Sequence, residues 1–379
     1  MEIIVILLII AIAACIECLL YHRFGDENLT YTAKLDKSEV MEGDEVSFTE
    51  ELCNDKPLPL PFVKTEIIIP SCLDLGTDEP ESAEGLCYVP SVFSLKGRER
   101  CIRKRKIACN RRGVFEIGSS SVYGGDLFGL ASFSLPTVQN ETLTVLPSPL
   151  DAEDFYPNSR LLYGDIQVRR FICEDPFMIS GAHEYTGREP MNSIFWSATA
   201  RTGRLMALNK DFTTSSRLLI LLSFQRRDDV ITHAPDAVCE LMIKAAAFAL
   251  DCGVKNGSET AMVVNIPEEE NEIVTAKIGE DHRTEQLRRL ARLEPCCKCP
   301  TDEFILSQPL EEYTDIVLIM PFLSQRTADL LKSRQQFGQY IRVYGTQNEA
   351  ETDLFVQITR KARNRISEKE LEKELSENV

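Results

Sequence analysis

The chain has 379 residues, which is too many for one ordinary hydrophobic core and predicts two domains with connecting segments. Its net charge of −17 argues against nucleic acid as a general partner, because phosphate binding requires a basic surface. The thirteen cysteines, an odd number without regular spacing, fit a reducing compartment better than a disulfide-bonded exterior.

An apolar segment opens the chain. Residues 3–21 match the length of about 20 residues that crosses a hydrocarbon core, and Glu17 is their one charged residue. A cleaved signal peptide is the alternative, but no basic segment precedes the run and no small-residue cleavage site ends it. Because Glu2 precedes the run whereas His22 and Arg23 follow it, we expect a single-pass plasma-membrane anchor within residues 1–24 and cytoplasmic soluble domains.

Residues 25–150 predict a β-sandwich of immunoglobulin-like type. Apolar and polar residues alternate around Val46 and Phe48, and Gly, Asp and Pro separate several short runs of this kind. Regularly spaced short strands with almost no helical periodicity are typical of such a sandwich.

One part of this region is strongly basic. From Lys96 to Arg112, nine of seventeen residues are Lys or Arg, and Glu99 is the one acid. The stretch could meet anionic lipid headgroups beside the anchor, or it could be the solvated face of two exposed strands.

The pattern changes from Arg217 onward. Residues 218–224, 261–266, 315–320 and 340–345 are apolar runs of strand length, and helical patterns over 237–254, 282–293 and 324–334 alternate with them. Such alternation favours a mostly parallel sheet covered on both faces, hence a doubly wound α/β domain over residues 215–347. Residues 348–379 predict a charged helical tail.

Residues 151–214 predict an ordered connector that contains the chain's one tryptophan, Trp196. A lone tryptophan is usually a large core anchor. Small residues follow it, and Arg201 and Arg204 can bind carboxylates or carbonyls. We therefore weigh a structural connector between two domains against a catalytic loop.

This block resembles the signature of a bacterial family known as domain of unknown function 58. The matching residues are Gly181, Glu184, Tyr185, Ile194, Trp196, Ala198, Ala200, Arg201, Gly203 and Leu205. The chain departs from the pattern at His183, at Arg188 and Glu189, and at Asn192. Upstream, the segments 111–118 and 126–130 resemble two further elements of the family.

The resemblance implies a membrane-anchored protein whose α/β domain is similar to von Willebrand factor type A. It also implies partners: an AAA+ ATPase of the MoxR type, and transglutaminase-like membrane proteins. A type A domain holds a divalent cation after its first strand, and here Ser223, Gln225 and Arg227 occupy the three ligand positions. Because Arg227 is cationic and Met320 to Phe322 supply no acid, we expect no bound metal and no cofactor.

Two other sites for chemistry need consideration. Cys296 and Cys299 have a zinc-like spacing, with Cys297 between them and His282 upstream, but a second pair is missing, so free thiols are the alternative. The sequence has no G-x-S-x-G element and no Walker-type phosphate loop.

We therefore expect a non-catalytic, membrane-anchored scaffold or adaptor in cell-envelope processes, with the signature residues as its interaction site. A metal-dependent ligand-binding type A domain is one alternative. An unrecognised enzyme that uses His183, Glu184 and Glu189 is the other.

Overall fold

A computed structural model describes residues 2–76, 81–83, 85–126, 129–150, 174–185, 194–212, 217–228, 230–267, 275–336 and 339–358. The chain forms two compact units. The first unit comprises Met1–Ser148 with Leu287–Leu293, and the second comprises Pro149–Gln286 with Glu294–Val379. Most of the predicted charged tail, residues 359–379, lies outside the described residues.

The first unit contains a four-stranded and a six-stranded sheet. The four-stranded sheet has the order β1-β3-β8-β5, and the six-stranded sheet has the order β2-β10-β9-β4-β7-β6. All neighbours pair antiparallel except β2 and β10, which are parallel. The strands are β1 Leu29–Leu35, β2 Glu39–Met41, β3 Glu45–Asn54, β4 Leu60–Pro70, β5 Leu73–Asp74, β6 Glu81–Ala83, β7 Leu86–Leu95, β8 Glu99–Cys109, β9 Gly113–Gly125 and β10 Ser132–Leu146.

Alternating apolar residues form the core between these sheets. Along β3, Val46, Phe48 and Leu52 are buried, whereas every second residue is more exposed. Ile67 of β4 and Ile107 of β8 lie in the same buried cluster. The period-two pattern therefore produces two inward faces that pack together, and the predicted β-sandwich is confirmed.

Helix α1 spans Glu2–Phe24. Its last turns pack on the sandwich: Tyr21 is buried in the core cluster, and its hydroxyl donates a hydrogen bond to the carbonyl oxygen of Pro59 at 2.7 Å. Cys18 is partly buried against the same cluster. Among the described residues, no helix is both long enough and apolar enough to cross a membrane, so the transmembrane helix predicted within residues 3–21 is wrong.

A five-stranded sheet forms the centre of the second unit. Its order is β16-β13-β17-β19-β21, and all neighbouring strands are parallel. Three two-stranded sheets, β11-β12, β14-β15 and β18-β20, accompany it. The strands are β11 Glu174–Glu184, β12 Met206–Phe212, β13 Arg217–Leu222, β14 Gln225–Arg227, β15 Val230–His233, β16 Glu259–Val264, β17 Asp315–Ile319, β18 Phe322–Leu323, β19 Tyr340–Gly345, β20 Gln347–Asn348 and β21 Phe355–Gln357.

Five α-helices follow α1 in the described part of the chain. They are α2 Trp196–Thr202, α3 Asp236–Lys255, α4 Glu280–Arg292, α5 Thr301–Leu306 and α6 Gln325–Arg334. Helix α3 begins with Asp236 and ends with Lys255, charges that suit the helix dipole, and it buries a long run of small and aliphatic residues. Phe304 of α5 and Leu331 of α6 belong to a buried cluster with Leu219 of β13.

The predicted fold class is nevertheless wrong for the chain as a whole. In the described part of the chain more residues lie in strands than in helices, so this part is mostly β, without a clear doubly wound von Willebrand factor type A domain. The apolar runs predicted the parallel strands and the helical patterns predicted α3, α4 and α6, but neither predicted the short two-stranded sheets. After β13, for example, the chain forms the hairpin β14-β15 before α3 begins.

Candidate functional site

Two of the three predicted ligand positions lie buried at the carboxyl end of strand β13. In open parallel sheets this end is the usual place for a ligand. Ser223 follows the strand directly, and its backbone N–H donates to the carbonyl oxygen of Ile319 at 3.0 Å. Ser223 and Gln225 are both buried, so the turn places their side chains inside the protein.

Thr301 joins these two side chains into one hydrogen-bonded group. Its hydroxyl lies 2.9 Å from the Ser223 hydroxyl and donates to Oε1 of Gln225 at 2.7 Å. Its backbone N–H donates to the same oxygen at 2.6 Å. Thr301 is the first residue of α5, so the amide of Gln225 satisfies one of the unpaired N–H groups at that helix end.

Asn265, which follows strand β16, completes the group. Its side-chain amide donates to the carbonyl oxygen of Cys299 at 2.8 Å and to the Ser223 hydroxyl at 3.4 Å. The backbone N–H of Cys299 donates to the Asn265 side-chain oxygen at 3.4 Å. We call the four residues Ser223, Gln225, Asn265 and Thr301 the polar cluster.

The polar cluster directs its hydrogen-bonding capacity into the protein itself. The Gln225 amide nitrogen donates to the carbonyl oxygens of Arg227 at 2.8 Å and Val230 at 3.3 Å, which holds the hairpin β14-β15 closed. Buried polar groups are costly unless they are paired, and here they pair with one another. The cluster therefore stabilises the loops at this end of the sheet.

The side chain of Arg227, the third predicted ligand position, does not belong to the cluster, although its carbonyl oxygen accepts from Gln225. Its side chain is exposed in β14, whereas Ser223 and Gln225 are buried. Val230 and Ile231 of β15 are also exposed. The structure therefore separates the Arg227 side chain from the two positions with which the sequence pattern had grouped it.

The histidine and the cysteines considered for zinc are buried or partly buried. His282 is buried, and its Nε2 lies 2.9 Å from the carbonyl oxygen of Thr260. Burial raises the pKa of the Cys297 thiol to about 11, and it also raises the pKa of Cys299. Across the residues that the structure describes, no group of three or more His, Cys, Asp or Glu side chains could hold a metal ion.

The signature block forms a hairpin with a short helix attached. Strand β11 pairs with β12 antiparallel, and the buried Ile194 bridges to the buried Ala207. The backbone N–H of Tyr185 donates to the carbonyl oxygen of Leu205 at 2.8 Å. The Thr199 hydroxyl of helix α2 accepts from the backbone N–H of Met206 at 3.0 Å. These bonds fix α2 against the hairpin.

Trp196 is not the core anchor that the sequence led us to expect. Its side chain is 68% exposed at the first residue of α2. Arg201 and Arg204 are exposed, and Leu205 is 48% exposed. We call these four residues the tryptophan surface. Arg204 makes an exposed ion pair with Glu184 at 3.5 Å.

The other predicted signature residues are placed only in part. Glu184 is exposed and Tyr185 is half-buried. His183 belongs to β11, but its side chain is not among those described. Arg188 and Glu189 lie outside the described residues. The proposed convergence of His183, Glu184 and Glu189 therefore stays a prediction.

Sequence reasoning missed half of the polar cluster. Asn265 and Thr301 have one local signal, since each is a polar residue directly beside an element end. The contact between Ser223 and Thr301 spans 78 positions, and no local pattern predicts such a pair.

No family model and no curated protein matches the chain. Among solved structures, a cohesin module from a Clostridium perfringens family 33 glycoside hydrolase is 12% identical, with 32% of this chain and 98% of that chain covered and a TM-score of 0.25. The CARDB domain of a Pyrococcus furiosus protein is 15% identical over 31% of this chain and 91% of that domain, with a TM-score of 0.22. A cohesin from Archaeoglobus fulgidus is 13% identical over 31% and 91% of the two chains, with a TM-score of 0.23. At these TM-scores the matches support no conclusion about function.

Proposed function

We propose that the protein is a non-catalytic adaptor that binds an AAA+ ATPase of the MoxR type through the tryptophan surface. The observation that carries the proposal is the exposure of Trp196, at 68% of its full value. A large aromatic ring in water is unfavourable, and exposed Trp and Arg are the residue types most enriched at protein interfaces.

The local structure supports this use of the surface. Helix α2 is held to the hairpin by the hydrogen bond from the Met206 backbone N–H to the Thr199 hydroxyl, so Trp196 and Arg201 stand on a fixed support. A rigid aromatic anchor loses little conformational entropy when a partner covers it. The choice of ATPase rests on the resemblance of residues 181–205 to the family signature. A transglutaminase-like second partner, a cell-envelope setting and a cytoplasmic location belong to the same proposal.

Binding of the purified full chain to a purified MoxR-type ATPase from the same organism tests the proposal. We expect Trp196→Ala to raise the Kd by about 30-fold, or roughly 2 kcal/mol, because a central aromatic contact is lost. Arg201→Ala should weaken binding less. Trp196→Phe should retain most of the affinity, since the ring is kept.

Phe62→Ala is the matched control, because Phe62 is a 47% exposed aromatic residue of the first unit. It should leave the Kd unchanged. An ATPase that fails to bind the wild-type chain, or that binds Trp196→Ala as tightly as Phe62→Ala, would contradict the proposal.

A further inference from the structure

Strand β8 has one open edge. On one side it pairs with β3 along ten consecutive residues, from Glu99 to Ala108. On the other side it pairs with β5 only at Ala108 and Cys109. Residues 99–107 therefore make no backbone pairing on that side with any part of the chain that the structure describes. Such an edge presents a row of unpaired N–H and C=O groups.

The outward side chains of this strand are mostly cationic. Arg100, Ile102, Lys104 and Lys106 are exposed and alternate with more buried residues. Residues two apart in a strand point to the same face, so these four form one row beside the open edge. This is the structural location of the basic stretch in the sequence.

The inward side chains hold the strand in place. The Arg103 guanidinium lies 4.3 Å from the ring centroid of Phe93 and donates to the carbonyl oxygen of Val92 at 2.9 Å. Arg105 donates to the Ser91 hydroxyl at 2.8 Å. Both contacts reach β7 in the opposite sheet, so the edge is a fixed template rather than a fraying strand.

Part of the outward row lacks an ion-pair partner among the described residues. Arg100 pairs with Glu51 at 2.6 Å, and Lys106 pairs with Glu45 at 2.7 Å. Lys104 forms no ion pair with any described residue, and Ile102 is 52% exposed beside it. In a chain with a net charge of −17, this row is a local cationic surface that includes an apolar residue.

We infer that the open edge of β8 binds an acidic, extended segment of a partner protein as an additional strand. An added strand lies about 4.8 Å from β8, so acidic side chains at every second position would face Arg100, Lys104 and Lys106. Backbone hydrogen bonds supply affinity, and the alternate side chains supply specificity. Anionic lipid would use the charges but not the unpaired backbone groups.

Fluorescence anisotropy of the full chain with a labelled ten-residue peptide of alternating Glu and Thr tests the inference. The peptide should bind, and more weakly as the salt concentration rises. Lys104→Glu should weaken binding by about fivefold to tenfold, because like charges then face each other across the strands. Lys104→Arg should bind like the wild type. Lys255→Glu, an equal charge change on the exposed end of α3, should have little effect.

Three results would overturn the inference. A peptide with N-methyl groups at every residue has no backbone N–H to donate at either edge and cannot pair as a strand, so equal binding of that peptide would show attraction by charge alone. Equal losses from Lys104→Glu and Lys255→Glu would show that net charge decides. Failure to bind the peptide is the third such result. Binding to phosphatidylserine vesicles instead would make the edge a lipid surface, and binding to neither would leave Lys104 only the role of preventing edge-to-edge aggregation.

Discussion

Glu50 is the most deeply buried carboxylate in the described part of the sandwich. It lies on β3 with no exposed surface. Its Oε1 accepts hydrogen bonds from the hydroxyls of Tyr31 at 3.1 Å and Thr65 at 3.0 Å, and its Oε2 accepts from the Ser91 hydroxyl at 3.0 Å. Arg105 adds an ion pair, with Nε 3.7 Å from Oε2. Because Thr65 and Ser91 belong to the six-stranded sheet, the carboxylate ties the two sheets together.

We expect Glu50→Ala to destabilise the first unit by about 3–5 kcal/mol, because Arg105 and three hydroxyls lose their acceptor inside the protein. Glu50→Gln keeps an acceptor oxygen and should cost less. Amide hydrogen exchange of peptides from β3 and β4 measures the effect on this unit directly.

Glu51→Ala is the matched control for Glu50→Ala. Glu51 is the next residue, and its ion pair with Arg100 lies at the surface. Exposed pairs contribute about 1 kcal/mol or less. Similar losses of protection in the two variants would mean that the buried carboxylate has no special role in the sandwich.

The sequence predicts that the Glu50 side chain faces inward, but it does not predict the residues that bond to its carboxylate. Period-two alternation through Val46 and Phe48 places Glu50 on the inward face. The residues that offset the free-energy cost of burying this carboxylate lie on four other strands, and Ser91 is 41 positions away. Ser223 and Gln225 behave in the same way, since the resemblance to a type A domain identifies them while Asn265 and Thr301 come from distant segments.

At the scale of elements, Gly253 sets how closely helix α3 packs. A Cβ atom at this position would lie 2.3 Å from Cγ2 of Thr260 and 2.9 Å from Cδ2 of Leu218. Both neighbours belong to strands of the parallel sheet, β16 and β13. The missing side chain therefore permits the close contact between helix and sheet.

We expect Gly253→Ala to destabilise the second unit by about 1–2 kcal/mol. The overpacking cost exceeds the gain of about 1 kcal/mol that alanine brings to a helix interior. Hydrogen exchange along residues 236–255 gives the change in stability. Thr260→Ser removes the methyl group in the closer contact, so the double variant should regain part of the loss. Strictly additive effects of the two substitutions would refute this packing argument.

Individual elements are better predicted than their assembly. The expected strand over 340–345 and helix over 237–254 correspond to β19 and α3, because uniform apolar runs and a long helical period are strong local signals. The strand expected over 218–224 ends at Leu222, since the chain turns there and Ser223 bonds to Ile319. The hairpin β14-β15 is short and its strands are exposed apart from Gln225, whose side-chain amide bonds to the carbonyl oxygens of Arg227 and Val230.

At the scale of the whole molecule, the predicted fold class is wrong because local sequence patterns do not determine how the elements assemble. The apolar segment at residues 3–21 has the length of a membrane span, but Tyr21 at its end packs into the sandwich. The alternation after Arg217 indicates parallel strands, but it does not predict the two-stranded sheets β14-β15 and β18-β20. The tryptophan surface was identified by residue type, and its exposure became evident only in the structure.

Buried and partly buried thiols give both units the same dependence on alkaline pH. Burial raises the pKa of Cys109 in the first unit, and of Cys252 and Cys297 in the second, from 9.0 to about 11. Above pH 9 these thiols ionise in the unfolded chain but not in the folded chain, so the unfolded chain binds fewer protons. The contribution of each neutral thiol to the free energy of unfolding is therefore fully present below pH 9. It decreases between pH 9 and 11, by up to about 1.4 kcal/mol per pH unit for each thiol.

Thermal unfolding measured from about pH 8 to pH 10.5 tests this prediction across the window set by the thiol pKa values. Cys109→Ala removes one titrating group from the first unit, where Cys109 has no exposed surface. The variant should be less stable at neutral pH, because a buried side chain is truncated, yet its stability should decrease less steeply as the pH rises. Cys15→Ala, at an exposed position of α1, should keep the steeper wild-type dependence. Equal slopes for wild type and Cys109→Ala would show that the alkaline loss arises from other groups, such as lysines that lose their ion pairs.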